Sequence, residues 1–503
     1  MRRFGLFGAV LLVLAVVYVA AWRTQPGARH TAAEQAPQTT PVTLVTRSCP
    51  PPAPGTGTAR IAMVALPRGA PAASVGTGSA TLSAVPATSS ATPRTAGKAA
   101  GKPAAAGPRP VTVSAPGALT TVAEPATTGT AGTTGAAGAA VEATGQMAEG
   151  FEAEQANSAG MGVVSCTHPG SDMWFVGTGA SDGASSITLY LMNTGDMAAS
   201  VDVTILTDAG VQTGLNTGIT IAPHQSVAQP IAPLVSGSAA VALHVQTSSG
   251  QVAAAVWEDG GSGGAWLPQA AAPATSVVIP GLTVASSAAR LFVTVPGSAD
   301  ALVKVVAFTA QGKFTPFGTT PVDAPAGATS SFALSSLGAS AAGLELTSNV
   351  PIVASVQVPG EGIGSFTTAV PAVTEQGIVA GNPATAGLTV GLVLTAPAHA
   401  AKATVTVIGA AGKGRKSTGS QQTVTVPAGR TVAVAVPRPQ GSRQPFAIVV
   451  TPAAGSGPLY AARVVTSGTG GLSAQVASLL PVLNAPTEIT LPPVQNTYAA
   501  VLP

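Results

Sequence analysis

Charge is scarce in this 503-residue chain. Asp, Glu, Lys and Arg together make up 8% of it, against roughly 25% in an ordinary globular domain. Aromatics are 4%. With 22 Lys+Arg against 19 Asp+Glu the net charge is only +3, so the usual electrostatic footprint of a nucleic-acid binder is missing, and so are its stacking rings. There are two cysteines and five scattered histidines. None of the histidines has a second His at metal-ligand spacing or an obvious carboxylate partner, which points away from a metal site. No phosphate loop, H-E-x-x-H or calcium-loop pattern occurs. Long hydrophobic runs are also lacking, except one at the N-terminus, which excludes a polytopic membrane protein. Helix breakers, by contrast, are abundant: 59 Gly and 43 Pro argue against an α-helical fold.

The one apolar run extends from Phe4 to Trp22, behind Arg2 and Arg3. As a helix it would approach the roughly 30 Å hydrocarbon thickness of a bilayer. We therefore expect a single-pass plasma-membrane anchor over residues 4–22, with the body outside the cytoplasm. A signal peptide cleaved near Val19-Ala20-Ala21, giving a secreted protein, is the alternative. Both fit a disulfide between Cys49 and Cys166, the only pair available in an oxidising compartment.

Residues 23–48 read as a polar tether. Residues 49–165 read as a small β-unit carrying a low-complexity insert of Ala, Thr, Ser, Gly and Pro over 68–140. Short alternating pieces within it, such as Thr81–Val85 and Val111–Val113, read as edge strands. From Trp174 onward, period-2 alternation between turn residues indicates strands, and the pattern repeats. Leu189, Leu291 and Leu392 open corresponding segments about 100 residues apart, each followed by a second strand and a turn glycine (Gly210, Gly312, Gly412). The expectation is an all-β chain of three tandem immunoglobulin-like β-sandwiches, 166–273, 274–375 and 376–485, with a tail over 486–503. The repeat is too long for a single propeller blade, which runs about 40–50 residues.

Candidate sites are few. Gly179-Ala-Ser181-Asp-Gly183 matches the G-x-S-x-G hydrolase pattern, but its flanks lack the strand-to-helix context of a nucleophile elbow. No catalytic residue, metal or cofactor is assigned. Trp266, flanked by loop residues, is a candidate sugar or partner contact. Charge is segregated: residues 151–289 carry nine acids and no Lys or Arg, whereas 376–487 carry eight basic residues and no acid. Lys413, Arg415 and Lys416, together in a Gly-rich turn, are candidate contacts for an anionic polymer or surface.

The stretch Cys166-Thr-His-Pro-Gly-Ser-Asp-Met-Trp174-Phe-Val-Gly177, with Cys49-Pro50, Trp266-Leu-Pro268 and Gly457-Pro-Leu-Tyr460-Ala-Ala-Arg463, resembles the actinobacterial secreted family named domain of unknown function 5719, over about residues 42–485. The resemblance implies an exported or membrane-anchored protein and brings no established activity, so no catalytic residue carries over. The expected role is a non-enzymatic structural or adaptor protein of the bacterial envelope, with cell-wall polymers or envelope proteins as partners and no nucleic acid. Carbohydrate binding, or carbohydrate-active chemistry on the cell wall, is the alternative.

Overall fold

The computed structural model describes residues 14–19 and 38–491, leaving out 55–58, 68–75, 88–109, 125–136, 158–161, 213–217, 284–288, 319, 335–336, 338–340, 361, 411–417, 440–442 and 468–474. The chain is all-β, with strand accounting for nearly all of its regular structure. Residues Val42–Thr487 form one compact unit. A second, small unit holds a two-stranded ribbon in which Gln38–Pro41 pairs with Glu488–Leu491.

The anchor expected over residues 4–22 is corrected. Among the described residues no helix is long and apolar enough to cross a membrane. The described part of that run, residues 14–19, is helical, and plasma-membrane placement through a single span has no support among the described residues.

Within Val42–Thr487 one topology occurs four times. Each module has eight strand positions in two sheets. Positions one, six, three and four form one sheet in that spatial order, and positions five, two, seven and eight form the other. In the second module the first sheet runs Asp172–Thr178, Ala240–Ser249, Ala199–Thr207, then Gly210–Gln212 and Ile219–Ile221. Its second sheet runs Gln225–Pro230, Ser186–Asn193, Ala253–Asp259, Gly264–Leu267. The third module is the same, except that positions six and seven fuse into one strand, Ala342–Val358, which crosses between the sheets. The fourth begins at Gly377–Asn382 and ends at Gln475–Pro481. Leu189, Leu291 and Leu392 all lie at position two, each facing position seven: Val256, Val356 and Arg463. This order departs from the immunoglobulin one, where the first two strands share a sheet.

The first module is the finding the repeat did not announce. Leu44–Cys49, Gly138–Thr144, Ala80–Val85 and Val111–Val113 form its first sheet; Thr120–Ala123, Ala59–Ala65, Phe151–Asn157 and Val164–Ser165 form its second. Segments within 68–140 thus supply three strand positions of a complete fourth copy. Ile61, Met63, Leu82, Val141, Met147 and Phe151 fill its core.

Each module closes in the same way. After position eight the chain returns to pair with position one. The Thr167 and Ser48 amides each donate to the other's carbonyl, at 2.9 and 2.7 Å. The Ala270 amide donates to the Trp174 carbonyl at 2.8 Å, and the Val370 amide to the Val278 carbonyl at 3.1 Å. Leu483 pairs with Ile378. In the first module a disulfide between Cys49 and Cys166 fastens this closure, as expected from the sequence.

The modules also stack head to tail, the first sheet of one against the second sheet of the next. Val85 and Ala140 of the first module meet Met192 and Ala253 of the second. Phe292, Val353 and Phe366 of the third enter the core of the second; there Ser355 Oγ donates to the Val176 carbonyl at 2.7 Å. Between third and fourth the backbones approach so closely that a Cβ on Gly343 would collide with Thr395. The last seam returns to the start: Ile378, Ala380, Ala447 and Val449 of the fourth pack on Ala62 and Val64 of the first. Eight sheets thereby stack face to face in a closed ring. One repeat of about 100 residues is too long for a single propeller blade, as expected, because it holds two sheets of at least four strand positions each.

Candidate functional site

In both sheets of every module the edges at positions one and eight are turned to the same side, the hub of the ring. A cavity of about 470 Å³ lies there and is lined by all four modules. The first contributes Arg47, Glu152 and Val163–Cys166; the second His168, Asp172, Trp174, Phe175, Ala254, Ala255 and Trp266–Ala272; the third Val370 and Pro371; the fourth Leu479–Pro481, Leu483 and Asn484. The size falls within the roughly 300–1,000 Å³ of small-molecule sites, and the lining is of their type, mainly apolar with a few polar groups.

Those polar groups are concentrated on one wall. Arg47 and Glu152 form an ion pair at 3.4 Å, with side chains 13% and 3% exposed. Burial pushes the Glu152 carboxyl up to about 7, and the Arg47 guanidinium pulls against that. Burial, assisted by Arg47, holds His168 below the usual imidazole range. Asp172 accepts from His244 at 3.1 Å, and His244 lies flat on Trp174 with ring centroids 3.8 Å apart. The Trp174 indole N–H is buried and meets no acceptor among the described residues.

Trp266 does line the cavity, but not as an open platform. It is 6% exposed and packed in a cluster with Tyr190 and Trp257, edge-on to Trp257 at 5.1 Å. Strand Gly264–Leu267 places it there, so its ring faces are occupied by protein. Lys413, Arg415 and Lys416 lie outside the described residues. Ser181 sits in a turn between strands Asp172–Thr178 and Ser186–Asn193, with no helix following, and its neighbour Asp182 pairs with Arg290. Two histidines do have carboxylate partners, contrary to expectation: His244 with Asp172, and His224 with Asp196 at 3.0 Å.

Reading the sequence missed the buried acids. Glu258 is fully buried and accepts from Thr178 Oγ1 at 2.5 Å; burial pushes it up to about 8. Burial takes Glu124 up to about 9. Glu154 is buried at the last seam, where it accepts from the Ala380 and Gly381 amides, both at 2.8 Å. Its charge partner is Arg463, buried and lowered to about 10 by that burial. Three other acids of the 151–289 tract cap turns: Asp202, Asp208 and Asp259 accept from the amides of Gly218, Ala239 and Gly261. The segregated charge is therefore spent largely on local structure.

The fold is thus an all-β ring of four repeated modules around a hub cavity. A family model described as a family of unknown function, DUF5719, matches residues 111–437, and the chain belongs to that family. The match covers parts of all four modules, although Cys49 and the segment around Arg463 lie outside it. Neither a curated protein nor a solved structure matches the chain significantly.

Proposed function

We propose that this protein is a binding module, working in an oxidising compartment, that holds a small, mainly apolar ligand at the hub of its ring. The observation that carries the reading is convergence: each of the four modules contributes its eighth strand position, or the chain just after it, to a single cavity of ligand size. The disulfide fits an exported protein. The charged groups of the cavity wall are engaged with one another, Arg47 with Glu152 and Asp172 with His244, an arrangement that favours holding a ligand over transforming one. The enclosed faces of Trp266 favour an apolar ligand over a stacked sugar. This narrows the envelope-adaptor role expected from the sequence to an adaptor that acts through a bound ligand.

The test is titration with a neutral fluorescent naphthylamine. One saturable site per chain is expected, and Ala271→Trp, which places an indole in the cavity, abolishes it. Absence of saturable binding, or binding unchanged in that variant, contradicts the proposal.

A further inference from the structure

We infer that the hub cavity takes an amphiphile with one anionic headgroup, its head on Arg47 and its tail against the apolar wall formed by Leu267, Val370, Leu480 and Leu483. This inference rests on the cavity reading and goes further by naming the ligand class.

Arg47 sits at position one of the first module, on the cavity wall. Both of its contacts come from Nη2, to the Phe151 carbonyl at 3.5 Å and to Glu152 at 3.4 Å. Those lengths are at the outer limit of hydrogen bonding. Its Nε and Nη1 meet no acceptor among the described residues, which leaves N–H donors for the oxygen of a carboxylate or phosphate. His168, held neutral by burial and by Arg47, does not compete as a cation. The rest of the wall offers apolar side chains, suited to a hydrocarbon tail.

Glu152 is the internal competitor for Arg47. The charged and titratable groups around it are Arg47 and Glu154, with His168 and Asp172 on the same cavity wall. Protonation of Glu152 frees Arg47, so anion binding strengthens as pH falls through about 7.

The experiment compares laurate with lauryl alcohol by calorimetry on the full chain. Laurate is expected to bind at least about tenfold more tightly. Arg47→Gln should remove that preference and leave alcohol binding unchanged, whereas Arg47→Lys should restore part of it. If Arg47→Gln does not fold, Glu152→Gln, which removes the competing carboxylate, should raise laurate affinity and leave alcohol binding unchanged, and an unchanged laurate affinity would overturn the headgroup assignment. Equal affinity for acid and alcohol in the native protein overturns the headgroup assignment while sparing the cavity. Failure of both ligands to bind, alongside failure of the naphthylamine, overturns the cavity reading itself.

Discussion

The seam that closes the ring differs from the other three. Where consecutive modules meet, the fully buried contacts are apolar or hydroxylic: Phe292 and Phe366 in the second module's core, Ser355 on the Val176 carbonyl, Thr329 on the Leu206 carbonyl at 3.0 Å; the charged ones, Asp182 with Arg290 and Arg430 on the Ala310 carbonyl, reach solvent. Where the fourth module meets the first, buried Glu154 accepts from the Ala380 and Gly381 amides, and the charge of Arg463, buried inside the fourth module, acts on it. Consecutive modules are held adjacent by short connections. The first and fourth are joined in sequence only through the two between them, so their docking must be specified by the surfaces alone. A carboxylate that accepts two amides fixes register as apolar packing does not, because displacement would leave charge and amides unpaired. The difference teaches that covalent continuity tolerates generic packing, while non-local closure uses a buried polar key.

Breaking the key should have the largest effect. Glu154→Ala strands Arg463 and orphans the Ala380 and Gly381 amides. We expect a loss of about 3–5 kcal/mol in chemical denaturation, with the first module separating from the fourth. Glu154→Gln with Arg463→Met should recover part of it. Next comes the staple of the first module. The disulfide closes a long loop, and Cys49→Ser with Cys166→Ser is expected to cost about 2–5 kcal/mol, concentrated in Leu44–Ser165 and read by hydrogen exchange.

A smaller effect concerns pH. The Glu258 carboxyl is raised from 4.5 to about 8, so the folded protein keeps a proton that the unfolded chain releases between those values. Stability should therefore decline as pH rises from about 4.5 to about 8 and level off above. Glu152 and Glu124, raised to about 7 and about 9, slope the same way. Glu258→Gln should flatten the profile and raise stability at pH 8 by on the order of a few kcal/mol; an unchanged profile in thermal melts would contradict this. The smallest effect should fall on a consecutive seam. Ser355→Ala removes one neutral hydrogen bond to Val176, at about 1 kcal/mol, without opening the ring.

The sequence made the all-β class and the phasing of Leu189, Leu291 and Leu392 legible because those strands alternate cleanly and their turns recur at fixed distance. The first module was obscured by composition. Ala80–Val85 and Gly138–Thr144 are built from Ala, Thr and Ser, and segments inserted around positions three to five break the period. The ring was not legible at all. In Phe151–Asn157, Ala153 faces the core while Glu152 and Glu154 alternate with it, a pattern that reads as one buried and one solvated face. Here the second face is covered by another module, and periodicity cannot distinguish solvent from a polar partner. The hub cavity was missed for the same reason. Arg47, Trp174 and Leu480 come from three different modules and meet only when the ring closes; of the cavity residues Trp266 was the one singled out in the sequence as a candidate contact.

The most direct measurement of the central claim, that four modules close around one ligand cavity, is hydrogen exchange with and without saturating laurate. The account predicts added protection in hub segments of all four modules together: 163–168, 266–272, 369–372 and 479–484. Protection confined to one module, or to surface loops away from those segments, would contradict it.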